Sequence, residues 1–174
     1  MNSSIEPPSL RASLIGLPSH ISDASYLYLL IIILLLLLSA FASGSESAYF
    51  SLKPKDNAAI KANPSARAKL ILKLLAKPQE LLATILIFNN FVNVGIVILS
   101  SFVLNDIFPP QDGFSPLRFV VEVIGITLII LLFGEVIPKI FANRNALSVS
   151  LLAAYPLRFI SKMPPVSWLK HVLV

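Results

Sequence analysis

Three long apolar stretches constrain the fold of this chain more than any other feature. The first contains Leu29 to Leu38 without a polar residue, and the other two have a similar character. An α-helix needs about 20 apolar residues to cross the hydrocarbon core of a bilayer, and each stretch approaches that length. The sequence therefore predicts an all-α membrane protein with three transmembrane helices, over about residues 26–50, 81–104 and 117–137.

Composition supports this class and disfavours others. Of the 174 residues, 56% are hydrophobic and 13% are charged, whereas soluble domains average about 25% charged residues. The chain has no cysteine, which excludes disulfides and thiolate metal sites. It also lacks a nucleophile–base pair and a phosphate-binding glycine loop. We therefore do not expect an enzyme. We do not expect a nucleic-acid-binding protein either, because the basic residues lie between the apolar stretches.

The distribution of charge predicts the orientation. Residues 53–78 carry seven basic residues and one acid, whereas residues 105–115 carry two acids and no basic residue. Basic loops face the cytoplasm, so we expect residues 53–78 inside and the N-terminus outside. Apolar residues recur at helical spacing among these lysines, which predicts amphipathic juxtamembrane helices broken near Asn63-Pro64. We expect residues 1–22 to form a flexible arm and residues 138–174 a helical belt or juxtamembrane tail.

Three polar clusters interrupt the apolar stretches: Ser43 to Glu46, Asn89 to Asn93, and Phe133 to Lys139. Amides and carboxylates are costly to bury in hydrocarbon, so we expect the clusters to face one another. Their donor atoms are oxygens and amides, with neither histidine nor cysteine among them. Such donors suit a hard cation such as magnesium, calcium or sodium.

Each cluster also has a structural interpretation. Ser43 can allow close helix packing, and the asparagines can form interhelical hydrogen bonds. Asn89 and Asn93 are four residues apart, and Asn90 and Asn93 are three apart, so at least two of these amides can share a side. Glu135 is the strongest pointer to a site, although Lys139, four residues on, could neutralise it.

Pro138 lacks a backbone donor, so the carbonyls of Phe133 and Gly134 are candidate ligands. Glu122 is interpreted as an interfacial charge. His20 and His171 are isolated, and neither is assigned a metal role.

Four segments carry a family resemblance: residues 39–48 (SAFASGSESA), 81–93 (LLATILIFNNFVN), 133–139 (FGEVIPK) and 143–146 (NRNA). They resemble the transmembrane domain of the CorC/CNNM (cyclin M) family of magnesium transporters. The resemblance implies a homodimeric three-helix domain over residues 23–174, in the plasma (inner) membrane, that exports Mg²⁺ coupled to Na⁺. It also implies an ion site built from Ser43, Asn90, Asn93, Gly134 and Glu135.

Members of that family usually continue into paired CBS modules that bind adenine nucleotide. We expect no such module in these residues and assign no nucleotide control to them. The leading hypothesis is magnesium transport through the oxygen-lined site. The alternative is a non-conducting membrane anchor and dimerisation module that regulates other magnesium transporters.

Overall fold

The computed structural model describes residues 22–107 and 116–164 of the chain, and this part contains no β-strand. The prediction of an all-α fold is therefore confirmed. The helices, in chain order, are α1 (Asp23–Phe50), α2 (Pro54–Ala62), α3 (Ala66–Leu75), α4 (Pro78–Ile107), α5 (residues 116–144) and α6 (Ala146–Ile160).

Three of these helices are long and apolar enough to cross a membrane: Asp23–Phe50, Pro78–Ile107 and Val120–Arg144. Many of their large apolar side chains are exposed, as expected of surfaces that face lipid. The prediction of three spans is confirmed, and the chain is an integral membrane protein.

The third span, α5, continues to Arg144, past the expected end at residue 137. Two π-helical stretches, Val120–Gly125 and Ile130–Val136, interrupt its α-helical hydrogen bonding. Pro138 therefore stands in the first turn of the α-helical segment Ile137–Arg144. A proline is tolerated there because it breaks no established α-helical hydrogen bond.

Helix α1 is the central element and contacts α4, α5 and α6. The small residues Ser39, Ala42, Ser43 and Gly44 are buried along its second half. Small side chains let helix backbones approach closely in a membrane, where packing and hydrogen bonds drive association. The polar second half of α1 therefore lies inside the bundle.

The basic segment folds as predicted into two short helices, separated at residues 63–65. Pro54 occupies the first turn of α2, and the Ser65 hydroxyl accepts a hydrogen bond from the Ala68 amide at 3.2 Å to cap α3. On α3, Leu70 and Ile71 are buried while Lys69 and Lys73 are exposed. The prediction of amphipathic helices is confirmed.

A hydrophobic cluster joins this segment to the ends of the long helices. Its members include Tyr49 of α1, Ile60, Ile71, Leu81 and Leu157. The Tyr49 hydroxyl donates to the Ser150 carbonyl at 3.2 Å, which satisfies this buried phenol.

The basic segment also contacts α6 through an aromatic ring. The Arg67 guanidinium lies 5.9 Å from the ring centre of Tyr155 on α6. The basic segment is thus packed against α6.

Some predictions fall on residues outside the described ranges. They concern residues 1–21 of the expected arm, most of the loop between the second and third spans, and residues 165–174 of the tail. His20 and His171 are among these residues.

Candidate cation site between the transmembrane helices

Side chains from all three spans meet at one level of the bundle. The Ser39 hydroxyl of α1 lies 2.9 Å from Asn89 Oδ1 and 2.7 Å from Asn93 Oδ1 of α4. The Nδ2 groups of Asn93 and Asn89 lie 3.2 and 3.5 Å from Glu135 Oε1 of α5. The predicted clusters of α4 and α5 therefore contact each other, and α1 contributes Ser39, one turn before its predicted cluster.

The Ser39 hydroxyl faces more acceptor oxygens than it has protons to donate. Ser39 has a single hydroxyl proton, which can be donated to only one of the two amide oxygens at a time. The other amide oxygen is then left without that donor. Both amides direct their N–H groups to the same carboxylate oxygen, Glu135 Oε1. An amide oxygen without a donor, beside a carboxylate, is the kind of oxygen ligand that a hard cation takes.

Glu135 has no cationic partner among residues 22–107 and 116–164. Lys139, one helical turn further on, instead forms an ion pair with Glu46 of α1 at 3.1 Å. The structural interpretation of Glu135 as the partner of Lys139 is therefore wrong. Its partly buried carboxylate lies among neutral amides, within a helix that has the length and hydropathy of a membrane span. An ionisable group in such a position marks a functional site by default.

Gly134 allows α1 and α5 to approach at this level. A Cβ added to Gly134 would lie 2.9 Å from Ser39 Oγ and 3.4 Å from Ser39 Cβ. Gly134 is buried, in the π-helical stretch Ile130–Val136 that also contains Glu135. Such stretches are frequent at functional sites because they alter the direction of side chains and carbonyls. The glycine backbone is consequently part of the site wall.

Ser43 lies one turn beyond Ser39 and is 1% exposed. Its hydroxyl has no hydrogen-bond partner within the described part of the chain. Ser47, a further turn along, donates to the Lys139 carbonyl of α5 at 3.1 Å. Because residues four apart share a helix face, Ser43 lies between two contacts with α5. A buried hydroxyl without a partner costs free energy, and a bound ion or water would remove that cost.

Asn90 is the predicted residue whose side chain faces away from this group. Its side chain is exposed, and Asn89 takes its expected place beside Asn93. One residue turns a helical side chain by about 100°, whereas residues four apart nearly coincide in direction. In a single chain, Asn89 and Asn93 therefore face α1 and α5, and Asn90 faces outward.

Of the predicted set, Asn93, Gly134 and Glu135 lie together, and Ser43 lies on the adjoining turn. The structure adds Ser39 and Asn89, which the prediction omitted. The sequence spacing could have indicated both residues. Ser39 is four residues from Ser43, and Asn89 is four residues from Asn93, so each pair shares a helix face. The described residues contain no group of three histidine, cysteine or acidic side chains. A cation here would be held by one carboxylate and neutral oxygens.

A second polar cluster joins α4 and α5 near their other ends. Ser101 donates to Glu122 Oε1, and Arg118 contacts both Asn105 Oδ1 and Glu122 Oε2, the latter at 3.5 Å. Glu122 therefore has a cationic partner on its own helix. It contrasts with Glu135, which has none in the described ranges.

Comparison with known proteins gives consistent results. Residues 30–174 match the family model described as the cyclin M transmembrane N-terminal domain. A UPF0053 protein of Haemophilus influenzae is 31% identical over 135 residues, covering 77% of this chain and 31% of that protein. A UPF0053 protein of Synechocystis is 33% identical over 110 residues, covering 62% of this chain and 29% of that protein. The chain thus spans about a third of the length of these relatives.

Proposed function

Because this chain belongs to the family of the cyclin M transmembrane N-terminal domain, we propose that it moves Mg²⁺ across the membrane through the site between α1, α4 and α5. The proposed role is transport and not catalysis. Glu135 supplies the charge, Asn93 and Asn89 supply amide oxygens, and Ser39, Ser43 and the Gly134 backbone complete an oxygen-rich wall. Mg²⁺ keeps several of its waters in protein sites, so few direct protein ligands suffice.

One observation carries this proposal: the Glu135 carboxylate lies beside the two amides without a cationic partner in the described ranges. A carboxylate with neutral hydrogen-bond donors but no counter-ion is costly within a membrane span, and a bound cation offsets that cost. The unpartnered hydroxyl of Ser43 supports the same conclusion, because a cation or its hydration water would satisfy it.

The proposal extends to the driving force and the assembly. Transport is proposed to be Mg²⁺ efflux coupled to Na⁺ entry, as the family resemblance of the sequence implies. The protein acts as a homodimer in the plasma (inner) membrane, with residues 53–78 in the cytoplasm. An exposed amide in an apolar span is unfavourable in lipid, so the exposure of Asn90 favours a partner that covers this face.

Flux measurements with the purified chain test the proposal. In Mg²⁺-loaded vesicles we expect Glu135→Gln to lower the Mg²⁺ efflux rate at least about tenfold, because removing one partner of a charge interaction at a site costs about 1.4 kcal/mol or more. Glu122→Gln is the matched control, since it removes the same charge from the same helix, and we expect it to retain flux. Undiminished efflux by Glu135→Gln would contradict the proposed site.

Binding is measured separately from flux. At a Mg²⁺ concentration of 100 times its Kd, binding stabilises the folded protein by about 2.7 kcal/mol. We expect that stabilisation in the wild type and its loss in Glu135→Gln. A gradient of Na⁺ across the vesicle should accelerate efflux if transport is coupled.

The alternative function is a non-conducting anchor that regulates other magnesium transporters. The close approach of Gly134 to Ser39 is compatible with it, because such contacts also serve helix packing alone. Vesicles that contain only the purified chain separate the two functions. An anchor gives no ion-dependent flux, whether or not Mg²⁺ stabilises it.

A further inference from the structure

A cavity of about 340 Å³ lies between α3, the beginning of α4 and the end of α6, away from the cation site. Small-molecule sites in proteins range from about 300 to 1,000 Å³, so it is large enough to hold a ligand. Residues from three separate helices form its wall. The proposed transport function does not use this cavity.

Basic side chains surround the cavity. Lys73, Lys77, Arg158 and Lys162 line it, against a single acid, Glu80. Lys77 forms an ion pair with Glu80 at 2.6 Å, so the acid already has a cation beside it. Lys73, Arg158 and Lys162 form no ion pair with any residue in the described ranges. The cavity therefore carries a positive charge that an anionic group would complement.

Most of the remaining wall is apolar. Leu70, Leu81 and Leu157 are buried, at 5%, 3% and 1% exposure, and each lines the cavity. The Thr84 hydroxyl donates to the Glu80 carbonyl of its own helix at 2.7 Å, so its proton is already used. Exposed cations above buried leucines form an amphipathic cavity, which suits a ligand with an anionic head and an apolar body.

The sequence places the cavity at the expected boundary between water and lipid. The basic segment ends at Lys77, and the apolar run of α4 begins at Leu81. Basic pockets between helices at this level bind the head groups of acidic lipids. Lys55 and Lys69 belong to the same basic segment and are exposed, but they do not line the cavity. Variants of these two lysines can therefore separate general attraction to a membrane surface from binding in the cavity.

We propose that this cavity binds an anionic glycerophospholipid of the leaflet next to the basic segment. The lipid phosphate is held by Lys73, Arg158 and Lys162, and the start of its acyl chains packs on Leu81 and Leu157. Because the cavity is shared by α3, α4 and α6, a bound lipid links the amphipathic segment to the second span. Such a lipid stabilises the packing of these three helices.

The test compares lipids on the detergent-purified chain. Phosphatidylglycerol should raise the thermal unfolding midpoint, and phosphatidylcholine should not, because only the former has a net negative charge. The double variant Lys73→Gln/Arg158→Gln should bind phosphatidylglycerol about tenfold more weakly, because each cation near an anionic head group contributes to affinity. The matched control Lys55→Gln/Lys69→Gln loses the same charge outside the cavity and should bind like the wild type.

Each other outcome overturns the proposal. If the control pair weakened binding as much as the cavity pair, the attraction would be general to the basic segment. If both pairs bound phosphatidylglycerol like the wild type, the cavity would play no part. Equal stabilisation by inorganic phosphate or by a polyglutamate peptide would identify an occupant other than lipid. Native mass spectrometry of the lipid adducts gives a second measurement that does not depend on the unfolding midpoint.

Discussion

Gly134 of α5 lies so close to Ser39 of α1 that a Cβ on the glycine would be 2.9 Å from the serine hydroxyl oxygen. That hydroxyl also contacts the amide oxygens of Asn89 and Asn93, so it has little freedom to move. The contact connects the packing of two spans to the geometry of the candidate cation site. A change in helix separation here alters the positions of the oxygens that we propose to bind Mg²⁺.

The first prediction concerns this contact. Gly134→Ala should destabilise the protein by about 1–3 kcal/mol, because overpacking forces the helices apart. It should also lower Mg²⁺ flux, since Ser39 must move away from the amides. The unfolding midpoint in detergent and the flux in vesicles measure these effects.

Gly44→Ala is the matched control on α1. Its added Cβ would lie 3.6 Å from the Pro138 carbonyl oxygen, which is an ordinary contact. Alanine is favoured over glycine in a helix by about 0.5–1 kcal/mol, so stability should stay the same or rise. A larger loss of stability in Gly44→Ala than in Gly134→Ala would contradict our conclusion that the helices approach most closely at Gly134.

The second prediction compares two buried serines whose hydroxyls lack partners in the described ranges, Ser43 and Ser150. Without Mg²⁺, alanine at either position should leave stability unchanged or raise it by about 1 kcal/mol, because an unsatisfied hydroxyl is removed. With Mg²⁺, only Ser43→Ala should reduce the ion-induced stabilisation. Equal Mg²⁺ responses in the two variants would exclude Ser43 from the site.

The third prediction separates two neighbouring amides. Asn93→Leu removes contacts to both Ser39 and Glu135, so it should cost about 1–3 kcal/mol and abolish the Mg²⁺ response. Asn90→Leu should preserve Mg²⁺ binding, because Asn90 is exposed in the single chain.

Two measurements on Asn90→Leu distinguish its roles. Calorimetric titration reports Mg²⁺ binding, and light scattering in detergent reports the oligomeric state. Loss of Mg²⁺ binding in Asn90→Leu but not in Asn93→Leu would show that Asn90 is the ligand. A change in assembly with binding preserved would support a partner chain over Asn90.

The fourth prediction concerns the ion pair of Glu46 and Lys139. The partly exposed pair should contribute about 0.2–1 kcal/mol to stability, less at high salt. Its greater effect should be on Mg²⁺ binding. In Glu46→Gln the freed Lys139, four residues from Glu135, can neutralise that carboxylate and weaken Mg²⁺ binding several-fold.

The double variant Glu46→Gln/Lys139→Gln tests this reason. It lacks the competing cation, so Mg²⁺ binding should recover relative to Glu46→Gln. If the double variant binds Mg²⁺ as weakly as Glu46→Gln, the pair acts on helix packing instead.

The sequence by itself determined the class of the protein, the three spans and the amphipathic segment. These features follow from composition and periodicity, which are local properties of the chain and need no contact between distant residues. The apolar run from Leu29 to Leu38 must be helical in a membrane, because lipid requires every backbone polar group to be satisfied within the segment. The apolar residues at helical spacing among the lysines of α3 similarly predicted its two faces.

Only the tertiary structure decided which polar residues meet. Asn89 and not Asn90 joins Asn93, and Lys139 pairs with Glu46 and not with Glu135. Spacing fixes which residues share a helix face, but the rotation of that face toward its neighbours depends on packing between helices. Here Gly134 of α5 approaches Ser39 of α1, 95 positions away in the chain, and the same serine hydroxyl contacts Asn89 and Asn93 of α4.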